Sequence, residues 1–152
     1  MAHVSRGRYW DDFSEGETFT TAARTVTEGA VDLFAGLSGD FNPLHTDEES
    51  ARQGPMKGRI AHGMLVLSVA TGLANQLGLF EGTTLALLGM DKIRWTAPVR
   101  LGDTIRVELT LREKKETSKP DRGVLVTDVS VKNQRGEQVM AAEWTTLMAR
   151  KR

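Results

Sequence analysis

The sequence predicts an α+β fold in which one antiparallel sheet curls around one long apolar helix. Three observations predict it. From Ile60 to Phe80 the chain carries no Asp, Glu, Lys or Arg, so a helix there has no charged face to turn to water and must be wrapped. From Thr104 to Glu116, the residues Ile105, Val107, Leu109 and Leu111 alternate with Arg106, Glu108, Thr110 and Arg112, the period of a strand with one wet and one buried face. Two further strand-like runs follow, joined by the short polar turn Asn133-Gln134-Arg135-Gly136-Glu137, the signature of a hairpin. At 152 residues the chain is the size of one domain with a sizeable core. It reads as a single domain over 1–152, with no repeat and no linker. Residues 1–15 read as an N-terminal lead and 149–152 as a solvated basic tail, the two segments expected to move.

The elements follow in order. Phe19 to Val26 alternates loosely, as a half-buried strand does. Thr27 can cap a short helix carrying Val31, Phe34, Ala35 and Leu37, which must end near Ser38-Gly39. Pro43 removes a backbone donor and pushes Asn42 out of helical geometry, so Asp40 to His45 is expected to be an ordered loop. Thr46-Asp47-Glu48-Glu49 opens another helix, with its acids in the first turn. A glycine-bearing link, Gln53 to Arg59, leads to the long helix, expected from about Ala61 to Leu77. That run is long enough to cross a bilayer. Its eight polar or glycine positions (His62, Gly63, Ser68, Thr71, Gly72, Asn75, Gln76 and Gly78) favour a helix inside a protein core instead. Strands are expected at Thr83 to Trp95, Thr104 to Glu116, Val124 to Lys132 and Gln138 to Met148. Lys114 to Gly123, charged and containing Pro120, reads as a protruding hairpin loop. A curled sheet leaves strand edges, and pairing two copies covers them, so a homodimer or higher homo-oligomer is expected.

Twenty basic and twenty acidic residues cancel, which leaves no overall field for nucleic acid or an anionic membrane surface. The absence of cysteine excludes disulfides and thiol catalysis and fits a reducing compartment. Met1 to Arg6 lacks the apolar core of a secretory signal, and the expectation is a cytoplasmic protein with no nucleic-acid or membrane partner.

Candidate chemistry lies in the stretch Ser38-Gly39-Asp40-Phe41-Asn42-Pro43-Leu44-His45-Thr46-Asp47. Asp40 and His45 can manage a proton at neutral pH. An equally open reading has Asp40 capping a turn and His45 packed. His62-Gly63 adds a second element, because N–H groups at a helix start are unsatisfied and can hold a developing oxyanion, and glycine lets a ligand reach the backbone. His62 itself reads more readily as a packed group than as a catalyst. A metal site built from His45, Asp47 and His62 is disfavoured, since their spacing matches no known ligand pattern. Thr71, two turns beyond Gly63, can contact a substrate or, more simply, bond to its own helix. Lys57, Arg59, Lys92 and Arg94 are candidate contacts for an anionic ligand such as a phosphate, with ordinary surface charge as the other reading.

These residues resemble a known pattern. Leu37-Ser38-Gly39-Asp40-Phe41-Asn42-Pro43-Leu44-His45, followed by Ile60-Ala61-His62-Gly63-Met64-Leu65, is similar to the hydratase 2 motif of the MaoC-like, (R)-specific enoyl-CoA hydratase family. The resemblance implies a single hot-dog fold across nearly the whole chain. It also implies reversible addition of water to a trans-2-enoyl-CoA thioester, giving an (R)-3-hydroxyacyl-CoA. Asp40 and His45 would take the catalytic roles, and the Gly63 N–H would hold the thioester oxygen. Asn42 would brace the loop, His62 would support the site, and Thr71 would stand in a family serine's place. The substrate would be an acyl-CoA and the protein usually a homodimer, with no cofactor, because coenzyme A is part of the substrate, and no metal. Alternatives within the resemblance are a hydratase for a branched or dicarboxylic acyl-CoA such as mesaconyl-CoA, a hot-dog acyl-CoA thioesterase, or a non-catalytic acyl-CoA-binding module.

Overall fold

The computed structural model describes residues 6–151. A 3-10 turn, Trp10–Asp12, precedes β1 (Thr18–Thr20) and β2 (Arg24–Thr25); helices α1 (Glu28–Ser38), α2 (Pro43–Thr46), α3 (Glu48–Gln53) and α4 (Gly63–Gln76) follow; strands β3 (Thr84–Trp95), β4 (Thr104–Glu116), β5 (Arg122–Lys132) and β6 (Gln138–Ala149) complete the chain. All pairings are antiparallel, in the order β1-β4-β5-β6-β3, with β2 also on β4.

The apolar pattern dictates this packing. Leu65, Val66, Leu67, Val69, Ala70, Leu73 and Ala74 of α4 are buried, against Ile105, Val107 and Leu109 of β4, Val129 and Val131 of β5, and Val139, Met140, Ala142 and Trp144 of β6. Each large aliphatic side chain taken out of water here contributes roughly 1.5–3 kcal/mol. The expected wrapped helix is therefore present, with one difference: Met64, Ser68, Gly72, Asn75 and Gln76 form an exposed stripe. Among the described residues no helix is long and apolar enough to cross a membrane.

Four local expectations need correction. The first strand is split, because three residues lie between Thr20 and Arg24 while only two lie between their partners Glu108 and Ile105. The Thr21 hydroxyl accepts the Val107 N–H at 3.0 Å across this step. The hairpin between β4 and β5 is shorter than predicted, because Lys114, Lys115 and Glu116 pair with Leu125, Val124 and Gly123. Pro43 opens a helical turn instead of preventing one: it occupies the first position of α2, where a missing N–H costs nothing. The helix before it is ended by Gly39 in the left-handed region, φ 78°.

The fourth correction concerns the ends. Residues 1–5 and 152 lie outside the described residues, but parts of both segments are tied to the rest of the protein. Trp10 and Phe13 are buried with Leu111, Leu125 and Met148 in a second apolar cluster. The Trp10 indole N–H donates to the Val124 carbonyl at 3.0 Å. Asp11 accepts from Arg150 at 2.9 Å, and Lys151 is paired with Asp12. Arg150 and Lys151 are thus neutralised by acids of the N-terminal turn.

On the face of the sheet away from α4, Glu143 accepts from Arg112 at 2.7 Å and from Lys92 at 3.1 Å. The Arg112 hydrogen bond, then the Lys92 one, lower its carboxyl pKa from an ordinary 4.5 to about 2. A depressed folded-state pKa stabilises above the unfolded value and loses that stabilisation as pH falls through the folded one. The Glu143→Gln variant is therefore expected to lose Tm less steeply than the wild type between pH 4.5 and about 2. Thermal melts across that range measure this, and coincident slopes would remove Glu143 from the account.

Candidate active site

The extended segment from Arg59 to His62 organises the residues around it. The Ile60 N–H donates to the Leu44 carbonyl at 3.2 Å, and Ala61 donates to Val99 at 2.8 Å. His45, buried on α2, places Nδ1 at 2.8 Å from the Ile60 carbonyl. A carbonyl only accepts, so in the neutral ring Nδ1 bears the hydrogen and Nε2 keeps its lone pair, an assignment made from the network. His62 Nε2 lies 2.9 Å from the Asp40 carbonyl and by the same reasoning donates to it. His62 Nδ1 is buried without a partner. The two imidazoles stack at 3.9 Å between centroids, and Phe34 covers His62 at 5.0 Å.

The intervening loop is stiffened locally. The Asp40 carboxylate accepts the Asn42 N–H at 3.2 Å, and the Asn42 side chain accepts the Leu44 N–H at 3.1 Å, capping α2. Thr46 ties the loop back through the Phe41 carbonyl at 3.0 Å. A carboxylate oxygen of Asp40 and one ring nitrogen each of His45 and His62 lie within 4.8 Å of one another. Asp40 is exposed and His45 buried, so the acid and the imidazole meet at a boundary between water and protein.

A cavity of about 570 Å³ opens beside them, lined among others by His45, Ile60, Gly63, Met64, Trp95 and Val99. Gly63 is the first residue of α4, so its N–H has no intrahelical acceptor and lies at the positive end of the helix dipole. The Trp95 indole N–H donates to the Gly63 carbonyl at 2.9 Å, and a Cβ on Gly63 would lie 2.7 Å from Trp95 Cε2.

Of the residues singled out in the sequence, Asp40, Asn42, His45, His62 and Gly63 are thus brought together. Thr71 is not among those lining the cavity: its hydroxyl donates to the Ser68 carbonyl at 2.7 Å. Asp47 caps α3 by accepting the Ser50 N–H and is absent from the group of potential ligand atoms, which has Asp40 in its place. That group suits a metal poorly. Lone pairs lie in the ring planes, and the planes of His45 and His62 are stacked and only 28° apart, so an ion bound to both would sit out of plane for at least one. Of the four candidate phosphate contacts, Arg59 and Lys92 are engaged by carboxylates, Arg94 donates to the Ile93 carbonyl at 2.8 Å, and Lys57 is exposed. Sequence reading missed Ile60 and Trp95. A backbone carbonyl leaves no mark in a sequence, and Trp95 stands thirty-two positions from the glycine it covers.

Comparison with known proteins places the chain in a family. The profile of the MaoC like domain family matches residues 12–133. The (R)-specific enoyl-CoA hydratase of Rhodospirillum rubrum is 36% identical over 107 residues, covering 68% of this chain and 69% of that protein. Protein MaoC of Klebsiella aerogenes is 32% identical over 137 residues, 90% of this chain but only 36% of its own length. A crystal structure described as the monoamine oxidase regulatory protein of Archaeoglobus fulgidus superposes with a TM-score of 0.90 at 37% identity, covering 96% of this chain and 97% of that one. The fold shared with the solved structures is the hot-dog fold.

Replacing Gly63 with Ala is expected to push the half-exposed Trp95 indole away and break its hydrogen bond. The cost should be about 1–3 kcal/mol, the range for overpacking, with altered tryptophan fluorescence. An unshifted emission and unchanged Tm would show that the two residues are not in contact.

Proposed function

The chain belongs to the MaoC-like domain family, and from that premise we propose that it is an (R)-specific enoyl-CoA hydratase, adding water reversibly to a trans-2-enoyl-CoA thioester. The observation that supports this reading best is the meeting of Asp40 and His45 within 4.8 Å beside a cavity that Gly63 also lines. With Nδ1–H bonded to the Ile60 carbonyl, the neutral form of His45 offers Nε2 as a proton acceptor, and Asp40 is the adjacent acceptor. In the proposed reaction the pair holds one water. Its oxygen bonds to the β carbon, one proton passes to the pair, and a proton returns from the pair to the α carbon, so that H and OH are added and nothing else is consumed. The thioester oxygen gains enolate charge, and the Gly63 N–H donates a hydrogen bond to it, a donor worth about 3 kcal/mol of transition-state stabilisation. Asn42 and His62 brace the Asp40 loop. The reading calls for neither cofactor nor metal beyond the coenzyme A carried by the substrate.

A second copy belongs to this proposal. The sheet ends at β3, whose outer edge is unpaired among the described residues and which exposes Leu85, Leu87 and Leu88. An exposed apolar edge invites strand pairing, and a homodimer across β3 would cover it.

Incubation with crotonyl-CoA is expected to remove the enoyl absorbance with no release of free thiol; thiol release with the absorbance retained would favour a thioesterase instead. Asp40→Asn and His45→Gln should each lower kcat by about 10²- to 10⁴-fold, the range for a general acid or base, with unchanged circular dichroism. Leu87→Lys with Leu88→Lys should halve the mass seen by light scattering, and an unchanged mass would place any dimer contact elsewhere.

A further inference from the structure

Arg59 is not part of the cavity wall, yet three acids from two helices surround it. Its side chain is only 9% exposed. It pairs with Glu28 and, at 3.4 Å, with Asp32 of α1, and its Nε lies 3.5 Å from Glu48 of α3. Its own backbone N–H donates to Glu48 at 3.3 Å, and that bond, ahead of the Arg52 hydrogen bond and the Arg52 and Arg59 charges, holds the Glu48 carboxyl below its ordinary pKa.

The same guanidinium donates through Nη1 to the backbone carbonyl of His45 at 3.4 Å. The next residue in the chain supplies the other two grips on that turn: the Ile60 N–H to the Leu44 carbonyl, and the Ile60 carbonyl to His45 Nδ1. Arg59 thus ties the backbone of His45 to the residue that precedes the carbonyl selecting its tautomer. A buried guanidinium is suited to this because its planar fork can serve several acceptors at once, which an ammonium cannot do in fixed geometry.

We propose that Arg59 is a positioning residue for His45, clamping α1, α3 and the strip at Ile60 so that His45 keeps Nε2 unprotonated and aimed at the reacting water. The assignment rests on the hydratase reading for its rate measurement but not for its spectroscopic one. Arg59→Met is expected to lower kcat for crotonyl-CoA by about 10- to 100-fold, as small misplacements of catalytic groups do, with KM within about twofold of wild type. Arg59→Lys should fall between the two. In a His45→Gln background Arg59→Met should cost no further rate, since the two act as one unit. Arg106→Met, on the outer face, serves as a control for loss of a surface ion pair. Nitrogen NMR of labelled histidine, made tractable by only three histidines in the chain, should show the Nδ1–H tautomer of His45 in the wild type and a mixture in Arg59→Met, or in Arg59→Lys should the former not fold.

Equal losses in both backgrounds, an effect on KM alone, or an unchanged tautomer in the folded variant would overturn the assignment. Absence of turnover in the wild type with the tautomer still shifted by the variant would sink the hydratase reading and leave the positioning role standing.

Discussion

The hydrogen bond from His45 Nδ1 to the Ile60 carbonyl is the constraint on which the candidate site depends. It decides which imidazole nitrogen carries the hydrogen and which keeps a lone pair, and it fixes the ring plane on which His62 stacks. His62 in turn donates to the Asp40 carbonyl. One extended strip therefore orients both members of the acid and imidazole pair, through a backbone carbonyl for one and a side chain for the other. The strip is itself anchored on Val99 through Ala61 and runs directly into α4, whose first residue lines the cavity.

The remainder of the fold keeps that strip in place. The buried residues of α4 lock its N-terminus against β4, β5 and β6, so the Gly63 N–H is held by the core and not by a mobile loop. Charge is distributed to the same end. Although acids and bases balance overall, the basic residues at the helices and on the outer face are largely matched locally, Arg59 with Glu28, Asp32 and Glu48, Arg112 and Lys92 with Glu143. A buried guanidinium is costly unless so matched, which explains three acids around one arginine.

Exposure tells the complementary story. Leu85, Leu87 and Leu88 stand in water on an edge strand, and α4 shows one stripe of Met64, Ser68, Gly72, Asn75 and Gln76. The α4 stripe is mostly polar and suits water, whereas contiguous apolar surface such as that of the three leucines on β3 is ordinarily covered.

By itself the sequence determined what depends on local period and capping. The strict alternation of Ile105 to Leu111 defined a strand with one buried face, Thr27 and Gly39 bounded a helix, and the uncharged run from Ile60 defined the element to be wrapped. Asp40, His45 and Gly63 were legible as candidates, because residue type and motif order survive without coordinates. Only the tertiary structure decided where these groups lie and what they touch. It turned Pro43 from a helix breaker into the first residue of a helical turn, since Asn42 supplies the cap. It drew Arg59 out of the set of free cations and into a buried cluster, and it sent the Thr71 hydroxyl back to its own helix. It also brought Trp95 onto Gly63 and the Ile60 carbonyl onto His45. Such contacts join positions far apart in the chain, or involve backbone atoms common to every residue, and neither leaves a period or a composition to be read.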